Sequence, residues 1–70
     1  MRTKIALKTT KAGTAVYLTI FTRTATGWDT YETQISPNVA QLSAARQMLI
    51  RAERLFDAGC TGSEIFRKLS

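Results

Sequence analysis

The sequence predicts an α+β fold in the order βββαα: a three-stranded antiparallel β-meander packed on one face by a long C-terminal helix, then a short second helix. The stretch 2–35 has the character of strands, most clearly in the first segment, where Ile5 and Leu7 alternate with Lys4 and Lys8 at the two-residue period of a strand. Glycine-containing turns interrupt the alternation at Gly13 and Gly27. After Ser36-Pro37 the apolar spacing changes to three and four residues, the period of a helix. We therefore expect a single domain over residues 1–70, with 1–35 as the sheet and 36–70 as the helical part.

The strands are predicted over residues 2–11, 15–24 and 28–35, where β-branched and aromatic residues are dense. The connections between them are short, so consecutive strands should pair in antiparallel fashion. One face of this sheet collects apolar side chains that a helix can cover. We expect this core face to contain Ile5, Leu7, Val16, Leu18, Ile20, Tyr31 and Ile35.

The long helix is predicted over residues 37–58. Ser36 is a residue type that caps free backbone N–H groups, and Pro37 suits the first helical position. Gly59 is expected to end the helix as its C-terminal cap. The stripe facing the sheet is expected to contain Leu42, Ala45, Leu49, Ala52 and Phe56, with Met48 and Leu55 beside it.

The short helix is predicted over residues 62–69. Thr61 and Glu64 have the spacing of a capping box, in which each side chain hydrogen-bonds the other residue's backbone N–H. Apolar residues at 65, 66 and 69 give this helix a face with which to close one end of the core.

The central strand, "AVYLTIFTR", is apolar on both faces, and this is the most specific functional feature of the chain. Val16, Leu18 and Ile20 point toward the long helix, whereas Tyr17 and Phe21 point away from it. The face without a helix therefore carries three of the six aromatic residues, interleaved with basic ones. It should contain Lys4, Ala6, Lys8, Tyr17, Thr19, Phe21, Arg23, Trp28, Thr30, Glu32 and Gln34.

The charge of the chain favours an acidic partner, because ten Lys and Arg residues against five Asp and Glu give a net charge of +5. Aromatic rings flanked by cations serve as stacking platforms for nucleic-acid bases, and sheets can also enter a DNA groove. We therefore predict a small non-catalytic protein that binds nucleic acid, DNA first of all, through the face without a helix. The candidate residues are Lys4, Lys8, Tyr17, Thr19, Phe21, Arg23 and Trp28.

The same residues support other interpretations. Tyr, Trp and Arg dominate protein interfaces, so the chain is alternatively a protein-binding accessory factor or inhibitor that meets an acidic protein surface. A homodimer could bury this face, and cross-strand packing alone would also account for its rings. A secondary candidate patch lies on the solvent side of the long helix, where an ordinary mixed-charge surface is the plain alternative. It comprises Arg46, Ile50, Arg51 and Arg54.

Three resemblances accompany these patterns. Three strands followed by a helix is similar, in topology and length, to the amino-terminal arm-binding domains of phage and transposon integrases, which implies sheet contact with the DNA major groove. The stretch "LFDAGCTGSEIFRKLS" looks like the opening of a helix-turn-helix, although no recognition helix follows it, and helix stop and start signals explain it better. A single small domain with an exposed binding face also resembles phage or mobile-element inhibitors such as anti-CRISPR proteins.

An enzyme is not expected, because the chain has no histidine to act as a general base near neutral pH. Cys60 has no histidine partner, and its single thiol permits no internal disulfide. We expect a cytoplasmic protein with no metal, cofactor, small-molecule substrate or membrane span. The acidic residues are spread over separate elements, namely Asp29, Glu32, Glu53, Asp57 and Glu64.

Overall fold

The structure, a computed structural model, describes residues 2–70. It confirms the α+β fold: one open antiparallel sheet in the order β1-β2-β3, followed by two helices. The elements are β1 (Arg2–Thr10), β2 (Gly13–Thr24), β3 (Gly27–Gln34), α1 (Leu42–Asp57) and α2 (Gly62–Leu69).

The register of the sheet separates its two faces. Ile5 of β1 lies opposite Leu18 of β2, which in turn lies opposite Thr33 of β3. One residue along β2, Thr19 lies between Lys4 and Glu32. Because directly paired residues share a face, the first row belongs to the helix side and the second to the opposite side. This register agrees with the division of side chains predicted from the two-residue period.

The core lies between the sheet and the helices. Helix α1 packs on β1 and β2, whereas α2 packs on α1 and β3. Ala45 and Ala52 of α1 are fully buried, and their small side chains allow the helix to approach the sheet closely. The buried cluster consists of Val16, Leu18, Ile35, Met48, Ala52, Ile65 and Leu69.

The predicted start of the long helix is wrong, because α1 begins at Leu42 and residues 36–41 are not helical. Ser36 is fully buried, and its hydroxyl accepts a hydrogen bond from the Val16 N–H at 2.8 Å. Thr14 and Val39 exchange two backbone hydrogen bonds of 2.9 Å. Residues 35–39 thus run beside the first part of β2 and satisfy backbone groups that β3 is too short to reach.

Three apolar residues predicted to face the core are exposed, namely Leu42, Tyr31 and, on the short helix, Phe66. Leu42 is 52% exposed because it stands at the very start of α1. Tyr31 is 64% exposed although it faces the helix side and pairs with the half-buried Ile20. An open groove separates Tyr31 from Phe66 of α2, so neither helix covers its ring.

The signals around the second helix are confirmed. Thr61 Oγ1 accepts a hydrogen bond from the Glu64 N–H at 3.3 Å, and Glu64 Oε1 accepts one from the Thr61 N–H at 3.0 Å. Gly59 follows the C-cap of α1 and donates its N–H to the carbonyl of Phe56 at 3.0 Å. The adjacent Cys60 is a half-buried free thiol packed against the core.

Acid is expected to weaken the start of α2. The backbone and then the side-chain hydrogen bond with Thr61 hold the pKa of Glu64 below its ordinary value of 4.5. The stabilisation from a lowered pKa is present above the unfolded-state value and is lost as the pH falls through the folded-state value. Amide exchange at the start of α2, followed from about pH 6 to about pH 3, should therefore show faster opening in acid.

The matched variant for this prediction is Glu64→Gln, which keeps an oxygen acceptor for the Thr61 N–H but does not titrate. Its amide exchange, corrected for the intrinsic rate, should be less sensitive to acid than that of the wild type. Identical pH profiles for the two proteins would contradict the prediction.

Candidate nucleic-acid interface

The candidate interface is the sheet face turned away from the helices, called the outer face below. Its rows follow from the register: Arg2, Phe21 and Thr30 form one row, and Ala6, Tyr17 and Gln34 form another. Lys8 lies opposite Ala15, and Arg23 lies opposite Trp28. The structure therefore brings onto one face all seven residues of the predicted main site, Lys4, Lys8, Tyr17, Thr19, Phe21, Arg23 and Trp28.

One half of the outer face is closed by contacts within the chain. Lys8 Nζ lies 5.4 Å from the centroid of the Tyr17 ring and 2.7 Å from Glu32 Oε1. The Tyr17 hydroxyl donates a hydrogen bond of 3.3 Å to Gln34 Oε1, and Gln34 Nε2 donates one of 2.7 Å to the carbonyl of Ser36. We call Lys8, Tyr17, Glu32 and Gln34 the closed half, because their polar groups already have partners.

The ion pair also shifts the pKa of Lys8. The hydrogen bond with Glu32 and the attraction of its carboxylate raise the pKa of Lys8 above its ordinary value of 10.5. A lysine is protonated at neutral pH even without this shift, so the raised pKa reflects the attraction of Glu32 and not a change in charge. A phosphate that approached this half would have to compete with Glu32 for the ammonium group.

The other half of the outer face is open. A groove of about 660 Å³ is lined by Arg2, Thr3, Lys4, Phe21, Trp28 and Thr30. Trp28 is 55% exposed, and Phe21 is half-buried in the groove. We call Arg2, Lys4, Phe21, Arg23 and Trp28 the open half.

The cations of the open half are not neutralised by acids. Within residues 2–70, Glu32 is the one carboxylate on the outer face, and it pairs with Lys8. Asp29 lies opposite Thr22 and so faces the helix side, while the other acids belong to α1 and α2. Four cations (Arg2, Lys4, Lys8 and Arg23) against one carboxylate leave the outer face with a charge of +3, more than half of the chain's net +5.

Arg2 was not among the residues predicted for the site. The signal was present, because Arg2 precedes Lys4 by one strand period and therefore shares its face. The pairing of Lys8 with Glu32 was also missed. It joins β1 to β3 across the intervening strand, and no local pattern specifies such a contact.

The secondary candidate patch lies on α1, whose core side packs against the helix-facing side of the sheet. Arg46, Ile50, Arg51 and Arg54 are all exposed there, with Ile50 at 52%. Arg51 and Arg54 line a depression together with Leu55 and with Lys68 of α2. Glu53 and Asp57 are exposed on the same helix, so the patch is surrounded by mixed charge, unlike the open half of the sheet.

Within residues 2–70, His, Cys, Asp and Glu side chains form no group of three or more that could hold a metal ion. Neither α1 nor α2 is long and apolar enough to cross a membrane. No family model matches the chain, and no curated protein or solved structure is significantly similar to it.

Proposed function

We propose that this protein is a non-catalytic nucleic-acid-binding protein that contacts its ligand through the outer face. The observation that supports the proposal is the open half, where the exposed Trp28 and the half-buried Phe21 lie among cations that form no ion pair within residues 2–70. Lys and Arg side chains that neutralise phosphates release counterions, and this release drives binding. The sugar and base of a nucleotide can then contact the rings.

The placement of the charges suits a polyanionic strand. Arg2 lies directly opposite Phe21, and Arg23 lies directly opposite Trp28, so each ring has a guanidinium beside it. Lys4, which is on β1 and lines the groove, is the third cation of the open half. We propose a cytoplasmic location, because a free thiol such as Cys60 stays reduced there, and nucleic acid is an available partner in that compartment.

The proposal predicts binding that weakens steeply with salt. We expect Lys4→Gln and Arg23→Gln each to lower affinity for an oligonucleotide and to reduce the slope of log K against log salt by about one. A fluorescence titration over a salt series measures both quantities. Lys11→Gln, in the turn between β1 and β2, is the matched control and should change the slope less. Absence of binding to DNA and RNA at low salt would contradict the proposal.

A second candidate function is the binding of an acidic protein surface by the same open half, as an accessory factor or a phage-type inhibitor would do. Exposed Trp28 beside Arg23 favours it, since Trp and Arg are frequent anchors of protein interfaces. Such a complex would survive nuclease treatment. A homodimer that buried the outer face would bring two faces of charge +3 together, and their repulsion disfavours that arrangement.

A further inference from the structure

The three rings of the outer face differ in how freely a ligand can reach them. Tyr17 lies beneath the Lys8 ammonium group, and its hydroxyl is bonded to Gln34. Trp28 is more than half exposed, and Phe21 lines the adjoining groove. Only Phe21 and Trp28 therefore present ring surface without first breaking contacts within residues 2–70.

The register sets the spacing between these two rings. Phe21 pairs with Thr30, and Trp28 lies two residues from Thr30 on the same face, so Phe21 and Trp28 are diagonal neighbours on adjacent strands. Diagonal neighbours in a sheet are about 7–8 Å apart. Bases in a duplex are stacked at about 3.4 Å, so a ring can enter between them only where the base step is unstacked, which costs free energy. The spacing suits consecutive bases of an extended strand, each turned outward onto one ring.

The surroundings of the rings favour the same ligand. A sheet that reads base edges in a duplex does so with polar side chains in a groove, and a sheet that inserts rings into a duplex must unstack base pairs to do so. In the open half the aromatic rings lie directly beside the cations, and the uncharged polar residues that accompany them in the groove are two short ones, Thr3 and Thr30. By register Arg2 lies beside Phe21 and Arg23 lies beside Trp28, on the same flank of the two rings, so these cations are placed to contact the phosphates of a strand whose bases lie on the rings.

Building on the proposed function, we infer that the ligand is single-stranded nucleic acid, with two neighbouring bases stacked on Phe21 and Trp28. The ring of Tyr17 takes no part, because Lys8 and Gln34 hold it in the closed half. Base stacking on aromatic rings tolerates every base, so the preference for a single strand is expected to exceed any preference for sequence.

The test compares single-stranded DNA, single-stranded RNA and duplex DNA of one sequence at one salt concentration, using fluorescence anisotropy of labelled oligonucleotides. We expect at least one single strand to bind roughly tenfold or more tightly than the duplex, since stacking on even one ring gives about this factor. Tighter binding of either single-stranded DNA or single-stranded RNA than of the duplex supports the inference. The comparison of the two single strands identifies the preferred ligand.

Three variants test which aromatic rings contact the ligand. Phe21→Leu and Trp28→Leu should each weaken single-strand binding by roughly 5- to 150-fold, while changing duplex binding much less. Tyr17→Leu is the matched control, because it removes a ring from the same strand and face as Phe21, and it should leave binding within about twofold if the ring is unused. Thermal melting of each variant verifies that the fold is retained; if Phe21→Leu does not fold, the exposed Trp28 provides the deciding variant.

The outcomes separate this inference from the proposed function. Duplex binding as tight as single-strand binding, or equal losses for Tyr17→Leu and Trp28→Leu, would overturn the inference and leave nucleic-acid binding in place. No binding to any of the three oligonucleotides at low salt would overturn both. A clear single-strand preference that depends on Trp28 but not on Tyr17 would support both.

Discussion

Replacing Ile65 by alanine is expected to lower the free energy of unfolding by about 2–5 kcal/mol, which is the range for truncating a buried isoleucine. Ile65 is fully buried and belongs to the cluster that joins α2 to the sheet and to α1. Its truncation removes packing contacts and leaves a cavity in a core with few large side chains. Since a single core in a chain of about 70 residues rarely supplies more than about 3–5 kcal/mol, this one change is expected to remove most of the total.

Ile50→Ala is the matched control, because Ile50 also lies in a helix but is 52% exposed. The helix propensity changes in the same direction at both positions, so the comparison isolates burial. We expect Ile50→Ala to change stability by no more than about 0.5 kcal/mol. Urea denaturation of the two variants measures the difference, and equal midpoints would show that α2 is not part of the cooperative core.

Replacing Gly13 by alanine is the second change with a large expected effect. Gly13 has a φ of +126°, a backbone conformation that L side chains rarely adopt. A Cβ there would lie 2.9 Å from the carbonyl oxygen of Val39, and this oxygen accepts the Thr14 N–H. Forcing a side chain into such a conformation costs about 1–3 kcal/mol, and the clash with a backbone atom adds to this.

Gly27→Ala separates the two causes. Gly27 also ends a β-turn with a positive φ, +142°, but nothing lies within 4 Å of a Cβ built on it. It should lose only the contribution of backbone strain. The excess loss of Gly13→Ala over Gly27→Ala in thermal or urea denaturation therefore reports on the contact with Val39. Equal losses would mean that residues 38 and 39 move aside without cost.

The strands and their faces could be predicted because successive side chains of a strand point to opposite faces. This two-residue period can be recognised in the local sequence when one face is buried. The segment after β3 could not. Ser36-Pro37 has the local chemistry of a helix start, yet Ser36 is fully buried and its hydroxyl serves the Val16 N–H. The hydrogen bond to the Val16 N–H, which is 20 residues away in sequence, outweighs the local preference of Ser36-Pro37 for a helix start. Val16 needs this partner because β3 ends before it reaches Val16. Only the register of the two strands shows where β3 ends relative to β2.

The candidate site shows the same contrast. Period-two alternation was sufficient to place Phe21 and Trp28 on one face, and one more step of the same period would have added Arg2. The alternation could not show that Lys8 forms an ion pair with Glu32, because this contact depends on the registers of both strand pairs together. The division of the face into a closed and an open half is therefore a property of the tertiary structure.

The segment that runs beside the start of β2 also protects the chain against self-association. Residues 15–21 are rich in β-branched and aromatic residues and carry no charge, a composition that favours cross-β aggregation when its backbone is unpaired. β1 covers one edge of this stretch, while β3 and residues 35–39 together cover the other. The edges left to solvent belong to β1, with Arg2, Lys4 and Lys8, and to β3, and charged side chains on an edge oppose further strand addition. This uncharged stretch of high β-propensity is thus kept in the interior of the sheet.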